Sequence, residues 1–133
     1  MNEFPYHVFC INISDERWKN YEHDERFTRW VGCNGKKDLT LESVNKQYHF
    51  YHNCNDELRL NIAGCSESHL SCLKHIYDKK INNAIIIEDD TIIDFQKLYE
   101  YGLYHFLNDV CYIGGDFHPV KLKDKKTFVK PVF

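Results

Sequence analysis

The chain has 133 residues and a formal charge of −3, which allow one modest domain and argue against two. Hydrophobic residues make up 43% and aromatic residues 15%, enough for a core, so wholesale disorder is excluded. With 17 basic against 20 acidic residues, the charge gives no reason to expect a nucleic-acid-binding protein.

No apolar run approaches the roughly 18 to 20 residues that a membrane span needs. The longest, Ala84 to Ile87, has four residues. The segment Met1 to Pro5 has neither the basic nor the apolar region of a signal peptide, so we expect a cytoplasmic protein. The abundance of Asn, Lys, Ile, Tyr and Phe indicates an AT-rich genome, either that of a large DNA virus or that of a bacterium.

The first half of the chain predicts a strand, a helix and a second strand. Tyr6 to Ile13 is almost continuously apolar and β-branched or aromatic, which is typical of a strand buried on both faces. Ser14 or the residue after it offers an N-cap for an amphipathic helix over Glu16 to Phe27. A strand over Phe27 to Val31 follows, ended by turn residues at 32–35. The polar stretch beyond them predicts a loop or a helix covering the sheet.

The second half continues the alternation. Gly64 precedes a predicted helix over Ser66 to Lys80, and a short buried strand follows over Ala84 to Ile87. Asp94 offers a cap for a helix over Phe95 to Leu107. A further strand, Val110 to Ile113, and a hairpin, Val120 to Phe133, complete the predicted elements. This order favours an α/β fold with a parallel or mixed sheet and crossover helices.

The cysteines are six in number: Cys10, Cys33, Cys54, Cys65, Cys72 and Cys111. Because two of them lie in strand-like apolar runs and no secretory leader precedes them, we expect free buried thiols. A rival hypothesis is a zinc-stabilised interaction module. Cys65, His69 and Cys72 share one helical face and Cys54 lies upstream, but no CxxC pair with finger-like spacing is present.

Three consecutive acids, Glu88, Asp89 and Asp90, follow the AIII strand directly. Like charges this close raise one another's pKa unless a cation neutralises them. Glu88 and Asp90 point to the same side of an extended chain, an arrangement that suits Mg²⁺ or Mn²⁺. The alternative is a solvated strand end that caps the next helix.

Ligands bind in α/β sheets beyond the carboxyl ends of the strands, and besides the acidic triplet a second polar cluster, Asn12 to Arg17, lies at such an end. Arg17 follows the first strand, and its planar guanidinium suits a phosphate or a carboxylate; a surface ion pair is the plainer alternative. Ser66, Ser68 and His69 follow Gly64, and the free N–H groups of a helix start attract anions. N-capping and packing are the alternatives there.

Taken in order, these clusters resemble glycosyltransferase family 25, the lipopolysaccharide and collagen β-galactosyltransferase group. The matching segments are Ile11 to Arg17, Phe27 to Gly35, Gly64-Cys65 with Ser68-His69, Ile86 to Asp90, and Tyr112 to Gly114. Each segment is weak alone, and five in the right order are fairly specific. The resemblance implies a GT-A fold, meaning a Rossmann-like sheet that binds a nucleotide-sugar.

The resemblance also implies the reaction: transfer of galactose or glucose from a UDP-sugar to an acceptor hydroxyl of a glycan or protein. It implies that Glu88 and Asp90 hold Mn²⁺, or Mg²⁺, against the diphosphate. Asp89 would orient the site or contact the ribose or sugar.

It further implies which residues contact the donor. Asn12 and Arg17 would flank the uridine or the diphosphate, and Ser68 and His69 would line the donor pocket. For the catalytic base no motif matches, and Asp116 and His118 are the weak candidates. Because the family's second half follows the Tyr112 strand, we expect most of the acceptor site to be missing. A non-catalytic nucleotide-sugar-binding remnant, or half of a split enzyme, is therefore an alternative function.

Overall fold

The computed structural model describes residues 6–50, 53–98 and 100. The elements, in chain order, are β1 (His7–Asn12), α1 (Asp15–Trp18), β2 (Phe27–Val31), α2 (Gly35–Asp38), α3 (Leu41–Gln47), α4 (Asp56–Asp78) and β3 (Ala84–Glu88). The chain divides into two compact units, Met1–Asp90 and Thr91–Phe133, and every labelled element belongs to the first.

The three strands form a parallel sheet in the order β2-β1-β3. In the register, Val8 pairs with Phe27 on one side and with Ile85 on the other. The central strand, β1, is buried from Val8 to Asn12 because it has a neighbour on each edge and cover on both faces. The prediction of an α/β fold with crossover helices is confirmed at this level, and all three predicted strands of this unit are present.

The helix predicted over Glu16 to Phe27 is wrong in length, because α1 ends at Trp18 and turns follow. Its aromatic residues pack on one another instead of forming a helical stripe: Tyr21 stacks on Trp18 and meets Phe27 edge-to-face. The Asp24 carboxylate accepts a hydrogen bond from the backbone N–H of Arg26, a local turn that competes with the helix.

The predicted start of the long helix is also wrong: α4 begins at Asp56, well before Ser66. Asn55 supplies the N-cap, since its Oδ1 accepts from the N–H of Leu58 at 2.8 Å. Gly64, Ser66, Ser68 and His69 are therefore inside the helix, and the predicted anion-binding helix start does not exist there.

Gly64 has a different role, which is to let two backbones approach. A Cβ on Gly64 would lie 2.6 Å from the backbone nitrogen of Gly35 and 2.9 Å from the carbonyl oxygen of Cys33. Helices α2 and α3 pack against α4, so the polar middle of the chain covers this helix.

Helix α4 ends at Asp78, two residues before the predicted end at Lys80. After α4, Lys80 and Asn83 adopt positive φ angles of 52° and 57°, which break the helix.

In the second unit, Asp94 caps helical residues at 95–98, since its Oδ1 accepts from the N–H of Lys97 at 3.0 Å. The rest of that predicted helix, the strand Val110 to Ile113 and the hairpin lie outside the described residues.

The five described cysteines, Cys10, Cys33, Cys54, Cys65 and Cys72, are free as predicted, but the predicted burial is found at two of them. Cys10 and Cys72 are fully buried, whereas Cys65 is exposed. Cys111 lies outside the described residues. Within residues 6–50, 53–98 and 100, no helix combines the length and apolar character needed to cross a membrane.

Candidate active site

The candidate site lies at the carboxyl edge of the sheet, where the ends of β1 and β3 meet. Because these strands are parallel and Ile11 pairs with Glu88, the residues that leave both strands emerge side by side. Asn12 ends β1, Arg17 lies on α1 directly after it, and the acidic triplet leaves β3. This is the edge at which ligands bind in α/β sheets.

Asp89 is the centre of one contact group. Its Oδ2 accepts from Asn12 Nδ2 at 2.6 Å, and its Oδ1 accepts from Arg17 Nη1 at 2.7 Å. The Asp89 side chain is only 8% exposed and that of Arg17 is 59% exposed, so the guanidinium neutralises the carboxylate from the solvent side. Ser14 is the N-cap of α1, and its Oγ accepts a hydrogen bond from the backbone N–H of Arg17. This bond helps to fix the backbone position of Arg17.

Asn12 carries an unusual atom. The residue is 1% exposed, and its Oδ1 is a buried acceptor for which the described part of the chain provides no hydrogen-bond partner. A buried unpaired acceptor costs about 1–3 kcal/mol. Among the described residues, the side-chain amide is held by its bond to Asp89 alone.

Glu88 is the centre of a second group, on the side of α4. Its Oε1 lies 3.0 Å from His69 Nε2 and 3.5 Å from Cys65 Sγ. Cys65 and His69 are one helical turn apart, so both face the end of β3. The carboxylate of Glu88 raises the pKa of the Cys65 thiol, although burial raises it more.

Asp90, in contrast, is exposed and makes no hydrogen bond or ion pair with any described residue. The structure therefore separates three consecutive acids into three environments. It brings Glu88 and Asp90 to the same strand end, as the sequence predicted. Their role as metal ligands stays a prediction.

The field at this edge is negative. Burial raises the pKa of the Cys10 thiol to about 11, and the charges of Asp89 and Asp90 add to that rise. Burial likewise raises the pKa of Tyr21, with further contributions from Cys10, Asp89 and Asp90. A site with this field favours a cation or the cationic part of a complex.

Ser68 and His69 were both predicted to line the donor pocket, but their side chains have different surroundings. Ser68 is 2% exposed; its Oγ accepts from the N–H of Cys33 at 2.8 Å and donates to the carbonyl of Gly64 at 2.7 Å. It thus ties α4 to the chain after β2. His69 is partly exposed and faces Glu88. Their role in lining a donor pocket stays a prediction.

The four-residue zinc set of the rival hypothesis is not assembled. Among the residues that the structure describes, the group of three ligand atoms within 4.8 Å of one another consists of Cys65, His69 and Glu88. Cys72 is instead fully buried, and Cys54 does not join the group. The i, i+4 spacing was a valid signal for Cys65 and His69, but nothing local indicated Glu88 as their partner.

Asp116 and His118, the weak candidates for a catalytic base, lie outside the described residues. Arg17 and Asn12 are where the sequence predicted them, at the first strand's end. The sequence did not indicate that both would bind Asp89, because 72 and 77 positions separate the partners.

The family model described as "Glycosyltransferase family 25 (LPS biosynthesis protein)" matches residues 7–129. Neither the curated proteins nor the solved structures contain a match to the chain.

Proposed function

The chain belongs to glycosyltransferase family 25, and from that premise we propose that it transfers galactose or glucose from a UDP-sugar to an acceptor hydroxyl with the help of Mn²⁺. The observation that carries this proposal is the convergence of Asn12, Arg17 and the Glu88–Asp90 triplet on one edge of a parallel sheet. Because the family is one of lipopolysaccharide biosynthesis proteins, a lipopolysaccharide sugar is the first acceptor to test.

The donor set at the end of β3 fits a hard divalent cation. Asp89 is already neutralised by Arg17, so the carboxylates of Glu88, which contacts His69, and of the exposed Asp90 are the acids of the triplet that no Arg or Lys of the described residues pairs with. Carboxylate oxygens are the ligands that Mg²⁺ and Mn²⁺ prefer. When bound there, the cation would neutralise the charge that develops on the departing diphosphate.

Arg17 supports the same assignment. A guanidinium has five N–H donors, and Asp89 uses the Nη1 group alone. The side chain is 59% exposed, so its remaining donors face solvent, where phosphate oxygens can accept from them. Asp89 then acts as a positioning residue, since it holds Asn12 and Arg17 at the mouth of the site.

A thermal-shift assay over a panel of nucleotide-sugars, with and without Mn²⁺, tests this proposal. We expect UDP-galactose or UDP-glucose to raise the melting temperature only when Mn²⁺ is present, and UDP to be released when an acceptor is added. Asp90→Ala should abolish the metal-dependent shift. Glu25→Ala, which removes an exposed acid elsewhere, is the matched control and should behave as wild type.

Two outcomes decide between the functions. Metal-dependent stabilisation without UDP release would support a nucleotide-sugar-binding module instead of an enzyme. If neither stabilisation nor UDP release occurs with any donor, the glycosyltransferase proposal fails for this chain.

A further inference from the structure

We propose that Cys65, His69 and Glu88 form a binding site for Zn²⁺, distinct in ligand chemistry from a carboxylate site for Mn²⁺. The inference rests on the geometry of this cluster and does not depend on the proposed transferase activity.

The placement of the cluster is rigid. Cys65 and His69 lie one turn apart in the interior of α4, and Glu88 is the last residue of β3. Helix α4 is held at this position by the close approach of Gly64 to Gly35 and by the hydrogen bond that Ser68 Oγ accepts from the N–H of Cys33. Ligands on regular elements that are locked in this way are preorganised for an ion.

The ligand atoms lie close enough together to share one tetrahedral ion after a small adjustment of the side chains. Zinc lies about 2.3 Å from sulfur and about 2.0–2.1 Å from nitrogen or oxygen, so tetrahedral angles separate sulfur from oxygen by about 3.5 Å and nitrogen from oxygen by about 3.3 Å. The observed separations from Glu88 Oε1 are 3.5 Å to Cys65 Sγ and 3.0 Å to His69 Nε2. All three ligand atoms lie within 4.8 Å of one another.

The chemistry of the set selects the metal. A thiolate and an imidazole beside one carboxylate suit Zn²⁺, whereas Mg²⁺ and Mn²⁺ prefer oxygen ligands throughout. Zinc binding would transfer the Cys65 thiol proton to solvent, so that the bound ligand is a thiolate. Three protein ligands leave the fourth position of a tetrahedron open.

The site is also reachable. The side chains of His69 and Glu88 are 37% and 49% exposed, and Cys65 is an exposed residue. An ion can therefore enter without opening the core. Because Glu88 also belongs to the proposed Mn²⁺ site, zinc bound here would withdraw that carboxylate from the donor metal.

Cobalt substitution tests the proposal on the full chain under reducing conditions. Co²⁺ replaces Zn²⁺ at such sites, and a coordinated thiolate gives a charge-transfer absorption in the near ultraviolet. We expect this band in wild type, its loss in Cys65→Ser, and its displacement by one equivalent of Zn²⁺. His69→Gln should retain folding and weaken Zn²⁺ binding by about 10- to 100-fold or more, measured by competition with a chromophoric chelator.

The matched controls are Cys54→Ser and His23→Gln, which remove a cysteine and a histidine outside the cluster. Both should bind Zn²⁺ as wild type does. The absence of a charge-transfer band in wild type, or a band that persists in Cys65→Ser, would overturn the proposal, and the wild-type spectrum decides even if a variant misfolds. Donor binding with Mn²⁺ is a separate readout, so failure here leaves the transferase proposal standing or falling on its own assay.

Discussion

Three adjacent carboxylates, Glu88, Asp89 and Asp90, have three different environments at the end of β3. Asp89 is 8% exposed and lies between Asn12 and Arg17, while Glu88 faces His69 on the opposite side. The strand ends at Glu88, and Asp89 and Asp90 lie in the turn that follows, so the side-chain alternation of a strand does not continue through the triplet. Function and stability can therefore be separated by single isosteric substitutions.

Asp89→Asn should lower the free energy of unfolding by about 1–3 kcal/mol. The amide cannot accept from both Asn12 and Arg17 with two anionic oxygens, so one bond is lost and the ion pair disappears. Asp90→Asn, at an exposed position that pairs with none of the described residues, should change the unfolding free energy by less than about 0.5 kcal/mol. Urea denaturation measures both variants, and equal stabilities would contradict the assignment of Asp89 as the positioning residue.

At the scale of elements, the approach of α4 to α2 decides where the site residues lie. The glycines at 64 and 35 allow contact that no side chain permits, since a Cβ at Gly35 would lie 1.8 Å from the Leu60 carbonyl oxygen. Ser68 adds one hydrogen bond across the same junction, since its Oγ accepts from the N–H of Cys33. The helix is thereby set at a depth from which His69 meets the end of β3.

Gly64→Ala should therefore destabilise the protein, although alanine favours a helix by about 1 kcal/mol over glycine. The added methyl would meet backbone atoms of Gly35 and Cys33, which cannot rotate away, so we expect a net loss of about 1–3 kcal/mol in unfolding free energy. Asn61→Ala, on an exposed face of the same helix, is the control and should be neutral or slightly stabilising. A Gly64→Ala variant as stable as wild type would show that the helices do not need this contact.

At the scale of the whole molecule, two of the buried core residues are cysteines. Cys10 lies on the central strand and Cys72 on the buried face of α4, and both are fully inaccessible. Burial raises the pKa of each thiol to about 11. These groups link the stability of the described core to alkaline pH.

The sign follows from the raised pKa values. The unfolded chain releases these protons near pH 9 and the folded chain near pH 11, so their contribution is complete below pH 9 and is lost as the pH rises through 11. We expect the urea midpoint to fall over this window. The fall should be shallower in Cys72→Ala and unchanged in Cys54→Ala; an equally steep fall in Cys72→Ala would contradict the linkage.

Much of the architecture was predictable because its signals are local. The apolar runs of β1, β2 and β3, the caps at Ser14 and Asp94, and the acids at a strand end all depend on residues within a few positions of one another. The pairing of Cys65 with His69 on one face follows from helical spacing alone. These features determined that the chain forms an α/β sheet with a polar, acidic carboxyl edge.

The tertiary structure decided what the edge contains. In the sequence, Gly64 was interpreted as the residue before a helix. The structure places it inside α4, where the close backbone of Gly35 leaves no room for a Cβ. Glu88 could face either way until α4 placed His69 beside it, and Asp89 meets Arg17 across 72 positions. Local propensity sets which elements form and where polar residues leave them, whereas the direction and partner of each side chain depend on packing between distant segments.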